Sequence, residues 1–451
     1  MTQRAGRASL RSRARSVLRG LAGDALYRGS LFLLINTVAT SAIGFVFWAL
    51  AARRYPAAAV GVFASVTSGV GLLAAIAALG LSNTTMRRVA GAVNPRELVT
   101  VAVTAIATVG AALCLITVVL LGPVLPAALH LQQHGRMAFL VTVLVVVTAV
   151  SSTLDACLVG IRASHIVLVK NVVGSLAKVA ALVLLTALGS SGLLVAYGLG
   201  LTLATILSGV ALSRRLGGQV GFGSFRALPR YLSMTSGNYL ATVLGIVPTS
   251  IVPVEVLVIR GAAETARFAV AFLIAGFLNF IPSTIAQVLF AEASRPGVTL
   301  GGQLRKAIRG VYGLVVPAVA VVVAAAPLLL RLFGMSYVPA TGCLRILALS
   351  ALLTGGTYLV DSLLIARDRT RAYVFMNGAN AALVVGCVAV ALPHGLTAAA
   401  VGWALAQGLS LLLGLAVLAT GRIGRHHSLP NAAGRQTAGY SRSAPAVRSR
   451  L

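Results

Sequence analysis

The sequence predicts an all-α integral membrane protein with about twelve transmembrane helices, arranged as two parallel halves of six. Three observations carry this prediction, and the first two concern composition and length. Of the 451 residues, 58% are hydrophobic and 10% are charged, which is more apolar than a typical soluble domain. About 20 apolar residues cross the bilayer core, and apolar runs of that length occur about twelve times along the chain.

The third observation is an internal repeat in which both copies run in the same direction. A shift of 206 positions superimposes residues 155–212 on residues 361–418 without a gap. The matched residues include polar, aromatic and glycine positions: Asp155 with Asp361, Asn171 with Asn377, Gly189 with Gly395, and Tyr197 with Trp403. Such matches arise by chance less readily than Leu or Val matches. Paired halves around a central site are a common plan in transporters.

The apolar runs place the predicted spans in two sets of six. In the N-terminal half, which we assign to 29–213, they cover roughly 29–51, 58–81, 97–121, 137–160, 165–188 and 191–213. In the C-terminal half, which we assign to 232–420, they cover roughly 232–259, 265–291, 304–331, 341–366, 371–392 and 395–420. A polar linker at 214–231 separates the halves. Basic tails at 1–28 and 421–451 flank them, and the composition of the second tail indicates disorder.

The distribution of positive charge predicts the orientation in the membrane. Lys and Arg number 37 against eight acids, which gives a net charge of +29. With the N-terminus inside, 29 basic residues fall on the inner side, seven on the outer side, and Lys178 lies alone within a span. Such a bias predicts that both termini are cytoplasmic. Because the basic residues are scattered over loops between apolar spans, the charge does not indicate a nucleic-acid partner.

Several stretches resemble the multidrug/oligosaccharidyl-lipid/polysaccharide (MOP) exporter superfamily, and within it the polysaccharide flippases. The first predicted span ends in the segment from Gly44 to Pro56, with an Ala-Arg-Arg-Tyr-Pro corner, and Gly61 and Phe63 follow at the start of the next. Near the other end, the tenth span finishes in Leu-Leu-Ile-Ala-Arg-Asp-Arg-Thr-Arg, within 358–373. The resemblance implies a twelve-helix MATE-like fold with a V-shaped central cavity.

The resemblance also implies a function. It predicts a multi-pass flippase of the bacterial plasma membrane that translocates a polyprenyl-diphosphate-linked oligosaccharide for cell-surface or exopolysaccharide synthesis. The expected partners are that lipid-linked oligosaccharide, membrane lipids, a polysaccharide polymerase and glycosyltransferases. Murein-precursor flippases of the superfamily carry an Arg-Asp pair shortly after the glycine of the first helix, whereas this chain has Phe47 and Trp48. A different lipid-linked oligosaccharide is therefore favoured.

Two other classes of function stay open. A cation-coupled multidrug exporter would need acids deep within the bundle, and the acids within spans lie near helix ends. A membrane-embedded glycan polymerase or glycosyltransferase would need a long outer loop or catalytic acids facing water, and the predicted outer loops are short. The sequence contains no Walker A pattern, no paired nucleophile and base, and no cysteine spacing that indicates a metal site. We therefore predict no enzyme activity and no cofactor, with coupling to an ion gradient or to the membrane potential left open.

Charged residues within spans are candidates for mechanism because each costs about 2.5–3.5 kcal/mol at mid-helix. Asp155 and Asp361 lie near the inner ends of the fourth and tenth spans, and Arg162 and Arg367 follow them. These charges predict either pairs that anchor the helix ends or a cytoplasmic gate between the halves. Glu255 lies near the outer end of the seventh span, after two prolines, and is assigned to the same gating set.

Three residues are candidates for contact with substrate. Lys178 lies about 20 Å from the inner end of the fifth span at 1.5 Å per residue, so it either snorkels outward or meets a diphosphate or an acidic sugar. Asn36 and Asn238, one from the first span of each half, are candidates for bonding to sugar hydroxyls.

Overall fold

The computed structural model describes residues 25–121, 134–218, 239–293, 300–367 and 369–420, together with positions 223, 228 and 229. Within these residues every regular element is a helix, and twelve helical segments are long and apolar enough to cross a membrane. The all-α membrane fold is thereby confirmed. Most of the basic N-terminal tail, most of the linker and the whole of the predicted tail at 421–451 lie outside the described residues.

The helices of the N-terminal half occupy residues 25–216. They are α1 (Ala25–Arg54), α2 (Ala57–Ala77), the short α3 (Leu81–Arg88), α4 (Pro95–Leu121), α5 (His134–Gly160), α6 (Ser164–Leu184) and α7 (Gly189–Leu216). Those of the C-terminal half are α8 (Tyr239–Arg260), α9 (Ala262–Leu278), α10 (Phe280–Ala293), α11 (Leu300–Arg331), α12 (Thr341–Ala366), α13 (Thr370–Ala391) and α14 (Leu396–Thr420). Short 3-10 turns follow α3, α6, α11 and α13.

The predicted eighth span is broken into α9 and α10 at Asn279. Pro282 explains the break, because it has no N–H to donate to the Leu278 carbonyl one turn earlier. A proline in the first turn of a new helix loses nothing, since the first N–H groups have no intrahelical partner there. By contrast, α8 runs without a break through Pro248 and Pro253.

The helix boundaries follow the 206-residue repeat. The shift carries the end of α5 at Gly160 onto Ala366, the end of α12, and the start of α6 at Ser164 onto Thr370, the start of α13. It carries Gly189, the start of α7, onto Gly395, one residue before α14 begins. Matched polar residues at 155, 171, 361 and 377 therefore occupy equivalent places on equivalent helices.

The two halves meet through α2, which packs against α8 and α9. Gly61 makes the closest approach: a Cβ atom built at this position would lie 1.8 Å from the Ala262 carbonyl oxygen. Nearby, the Ser65 hydroxyl donates to the Pro253 carbonyl at 2.7 Å. At the opposite end of the contact between α2 and α8, the Tyr239 hydroxyl donates to the Ile76 carbonyl at 2.5 Å.

Helix α1 meets the C-terminal half near its own C-terminal end. The Phe45 ring lies 5.2 Å from the Phe333 ring, and Arg53 Nε donates to the Leu332 carbonyl at 2.8 Å. The halves are therefore in contact at the end of the bundle that holds the α1–α2 turn, which the charge pattern predicts to be the outer end, as well as at the opposite end of α2 through Tyr239.

Candidate functional site

The ammonium group of Lys178 lies inside the N-terminal half. Helix α6 packs between α1 and α7, and each of these helices places an aromatic ring beside the Lys178 Nζ. The distances to the ring centroids are 5.7 Å for Phe47 and 5.6 Å for Tyr197. Such contacts with ring faces stabilise a cation by about 0.5–2 kcal/mol. They lower the free energy of holding the charge in a bundle of apolar helices.

The rings beside Lys178 belong to a larger aromatic cluster. Phe63 of α2 packs on Phe47, Trp48 and Tyr197, with centroid distances of 5.7, 5.2 and 5.6 Å. Phe47 and Trp48 are the residues that stand where the resemblance expects an Arg-Asp pair in murein-precursor flippases. The first helix therefore contributes an aromatic wall here, and the positive charge comes from α6.

A second basic residue of α6, Lys170, forms a buried ion pair. Its Nζ lies 2.6 Å from Asp155 Oδ1 on α5, and the Lys170 side chain is 2% exposed. It also lies 3.3 Å from the Ser151 hydroxyl. The prediction that Lys178 lies alone within a span is therefore wrong, because Lys170 lies within α6 as well, and the predicted neighbour of Asp155 was Arg162. Among the described residues the partner is Lys170, and Arg162 is exposed.

Two amides lie near the ion pair and join α1 to α6. The Asn171 side-chain nitrogen donates to Asn36 Oδ1 at 3.1 Å, so Asn36 lies in the N-terminal half within reach of this polar group. Its predicted counterpart Asn238 lies outside the described residues. Glu255 Oε2, near the C-terminal end of α8, is buried and has no hydrogen-bond partner among the described residues.

The C-terminal half contains a cavity of about 320 Å³ between α8, α9, α10, α12, α13 and α14. Its polar lining includes one acid and four side-chain amides: Asp361, Asn279, Asn377, Asn380 and Gln407. Its aromatic lining consists of Phe272, Phe280, Tyr358 and Trp403. The volume and the mixture of apolar and converging polar groups are typical of a small-molecule site.

Asp361 differs from its repeat partner Asp155 in having no ion pair among the described residues. The 206-residue shift places Met376 at the position of Lys170 and Val384 at the position of Lys178. The nearby Arg367, predicted as a partner of Asp361, is exposed at the end of α12. The helices that carry the repeat therefore differ in their charged residues: α5 and α6 hold Asp155 with Lys170 and Lys178 in the N-terminal half, whereas Asp361 is the charged residue in the described lining of the C-terminal cavity.

The family model of polysaccharide biosynthesis proteins matches residues 26–302, which is more than half of the chain. The chain belongs to the polysaccharide biosynthesis protein family. The family and the fold together confirm membership of the MOP superfamily and a multi-pass membrane transporter or flippase. No curated protein sequence matches the chain.

Solved structures of the superfamily share this fold. The lipid II flippase MurJ in an inward closed conformation has a TM-score of 0.71 and 11% identity, covering 86% of this chain and 87% of that chain. An inward-facing multidrug resistance MATE family transporter has a TM-score of 0.66 and 15% identity, covering 88% and 100%. A MOP superfamily transporter from Pyrococcus furiosus has a TM-score of 0.52 and 16% identity, covering 89% and 96%. At these identities the likeness concerns the fold alone.

Proposed function

We propose that this protein flips a polyprenyl-diphosphate-linked oligosaccharide across the bacterial plasma membrane for the synthesis of a cell-surface or exported polysaccharide. The match to the polysaccharide biosynthesis family carries this proposal. The likeness to MurJ supports it at the level of fold. In this proposal both termini are cytoplasmic, and the protein works beside the glycosyltransferases and the polymerase that make and use the glycan.

The diphosphate is proposed to bind beside Lys178 in the N-terminal half. Transfer of a diphosphate into a bundle of apolar helices is unfavourable unless a fixed positive charge offsets the lost hydration. A lysine ammonium is a compact charge suited to a phosphate group. Lys170 is already paired with Asp155, so Lys178 is the basic group of α6 that is left for a ligand.

The halves are in contact at both ends of α2 under the predicted orientation. Contacts of Arg53 and Phe45 with the α11–α12 turn join them at the predicted outer end, and the Tyr239 hydroxyl joins them at the predicted inner end. In the proposed cycle a head group would enter an inward-facing state from the cytoplasmic leaflet while the polyprenyl tail stays in lipid, and rocking of the halves would then open the outer end.

Reconstituted vesicles test the function and the role of Lys178 together. Purified protein in vesicles should move a fluorescent polyprenyl-diphosphate disaccharide between leaflets, measured as the fraction accessible to an external quencher. Lys178→Arg should retain part of the rate because it keeps the charge with a different geometry. Lys178→Gln should reduce the rate at least tenfold at equal protein content, because the charge is lost.

Lys178→Leu separates a substrate role from simple anchoring. If Lys178 serves only to anchor α6, the Leu variant should be at least as stable as the wild type and should flip at the normal rate. Normal flipping in both the Gln and Leu variants would remove Lys178 from the mechanism. Absence of flipping by the wild-type protein would overturn the proposed function itself.

A cation-coupled drug exporter is the second candidate, and the unpaired Asp361 in the C-terminal cavity favours it. In that case vesicles with an imposed proton or sodium gradient should accumulate a cationic dye, and Asp361→Asn should abolish accumulation. Dye accumulation without movement of the lipid-linked glycan would select this alternative. A polymerase or glycosyltransferase would instead consume an activated sugar donor.

A further inference from the structure

The cavity of the C-terminal half contains two buried hydrogen-bond acceptors that no described residue satisfies. Asp361 Oδ1 and Asn279 Oδ1 are both buried without a hydrogen-bond partner among the described residues, and both residues line the cavity. Buried polar atoms in native proteins are nearly always paired, so two unpaired oxygens in one cavity require an explanation. A bound molecule that donates hydrogen bonds would satisfy both.

The internal repeat shows that the chain has another way to satisfy such an acid. In the N-terminal half Lys170 fills this role at 2.6 Å from Asp155. The equivalent position in the C-terminal half is Met376, which is 2% exposed and packs among apolar side chains. The acid is thus present in both halves, whereas its internal partner is present in one. The carboxylate of Asp361 is left for an external donor.

The amides of the cavity offer both kinds of hydrogen-bonding group. The Asn377 amide nitrogen donates to the Tyr373 carbonyl at 3.0 Å, which leaves Asn377 Oδ1 as an acceptor. Asn380 Oδ1 accepts from the Ser410 hydroxyl at 2.9 Å, which leaves the Asn380 nitrogen as a donor. Hydroxyl groups both donate and accept, so a polyhydroxylated ligand matches this lining.

The size and the aromatic groups of the cavity favour a sugar over a bare cation. A volume of about 320 Å³ lies within the range of small-molecule sites and is far larger than a single ion needs. Phe272 and Trp403 meet edge to face at 5.0 Å in its wall and present apolar surface to a ring. When ionised, Asp361 would repel a sugar that carries a carboxylate.

We propose that this cavity is a subsite for an uncharged sugar unit of the lipid-linked glycan, held by Asp361 and Asn279 and rejecting acidic sugars. This inference rests on the proposed function and makes it more specific. The head group would be divided between the halves, with its diphosphate near Lys178 and a neutral sugar in the C-terminal cavity. An acidic sugar would then occupy a different part of the head group or be absent.

Trp403 provides a direct reporter of this cavity, because the chain has two tryptophans, Trp48 and Trp403. A Trp48→Phe protein retains Trp403 as its single indole. Three probes are titrated into it in detergent: a short polyprenyl diphosphate with a neutral disaccharide, the same lipid with a uronic-acid disaccharide, and the same lipid without sugar. We expect Trp403 fluorescence to change with the first probe, which should bind at least tenfold more tightly than the other two.

Two substitutions test the acid itself. Asp361→Asn should weaken binding of the neutral-sugar probe about tenfold, the effect of losing one hydrogen bond to a charged group, and should leave the sugar-free probe unchanged. Met376→Lys should give Asp361 the internal partner that Asp155 has and abolish the preference for the neutral sugar. Glu264→Gln, an acid of α9 outside the cavity lining, is the control and should change neither value.

The outcomes separate this inference from the proposed function. Equal affinity for all three probes, with normal flipping, would overturn the sugar subsite and leave the flippase standing. Failure to bind or flip any probe would overturn both. A Trp403 response to sodium chloride against choline chloride, with no response to the sugars, would identify a cation site and also overturn the inference. The probe comparison uses the Trp48→Phe protein alone, so the result does not depend on whether the Asp361 variants fold.

Discussion

The Asp155–Lys170 pair shows how a buried charge is kept within a membrane helix. Each side chain alone would be unfavourable in an apolar bundle, and the pair is held by a 2.6 Å contact and by the Ser208 hydroxyl at 3.5 Å from Asp155. Removal of one partner of a buried pair leaves the other charge without compensation, which typically costs about 3–5 kcal/mol. This pair is therefore a determinant of stability in α5 and α6.

Lys170→Met copies the residue of the C-terminal half and tests this role. We expect it to destabilise the protein by about 3 kcal/mol, at the lower end of that range because Asp155 is 25% exposed. The measurement is the apparent melting temperature in detergent. The double variant Asp155→Asn, Lys170→Met removes both charges and should recover most of the loss. A Lys170→Met protein as stable as the wild type would show that the pair contributes nothing.

Asp155 was predicted as a candidate, whereas Lys170 was not, because it lies six positions after the start of α6 and close to a basic turn. The spacing does contain a signal for this pair. Residues about equally far from the turn of a helical hairpin lie at a similar depth, and Asp155 and Lys170 lie five residues before the end of α5 and six after the start of α6. The aromatic contacts of Lys178 could not be predicted in this way, because they depend on how α1, α6 and α7 are rotated about their axes.

At the scale of helices, Gly61 determines how closely α2 approaches α9. Even a methyl group at this position would overlap the backbone at Ala262, and backbone cannot move aside as a side chain does. Glycine is therefore required by the contact between the halves and not by backbone conformation. Gly61 belongs to the stretch that resembles the flippases, and its contact with Ala262 gives the physical reason for a glycine there.

Gly61→Ala should separate α2 from α9 and destabilise the protein by roughly 1–3 kcal/mol, the usual effect of an added methyl group in a packed interior. Gly69 on the same helix is a matched control, because a Cβ there meets nothing within 4 Å. Gly69→Ala should be neutral or slightly stabilising, since alanine favours the helix. The two variants are compared by melting temperature, and equal values would remove the close contact as a cause of stability.

The positions of the helices were largely predictable, because crossing a bilayer requires an apolar run that the sequence displays directly. The predicted tenth span ends at 366, where α12 ends. The predicted sixth span starts near 191, within about two residues of the start of α7. The break at Asn279 was predictable from Pro282 and not from hydropathy, because the apolar run continues through it. It depends on Pro282 lacking a single hydrogen bond, which hydropathy does not register.

At the scale of the whole molecule, the two halves share a backbone plan and differ in charge. The repeat preserves the acid, one amide and the aromatic position at 155, 171 and 197, while lysines at 170 and 178 become Met376 and Val384. A head group with an anionic end and a neutral end would be oriented by this difference alone. The loss of the two lysines from the C-terminal half is visible in the sequence. The cavity around Asp361 is not, because it depends on how the C-terminal helices pack.

The charge bias predicts the orientation of the whole bundle. Without Lys170, which lies within α6, the predicted inner side holds 28 basic residues against seven outside, still a strong bias toward cytoplasmic termini. Two exposed positions at opposite ends of the bundle test it. Met335 follows α11 at the predicted outer end and is 71% exposed, and Val93 lies between α3 and α4 at the predicted inner end and is 105% exposed.

The experiment labels single cysteines in intact cells with a thiol reagent that does not cross membranes. The native cysteines are buried or half-buried, so they should give little background labelling. Replacing them with serine removes the remaining background. Met335→Cys should label in intact cells, and Val93→Cys should label only after the membrane is opened. The reverse pattern would place the basic loops outside. It would also turn the end that holds the α1–α2 turn toward the cytoplasm and overturn the prediction that both termini are cytoplasmic.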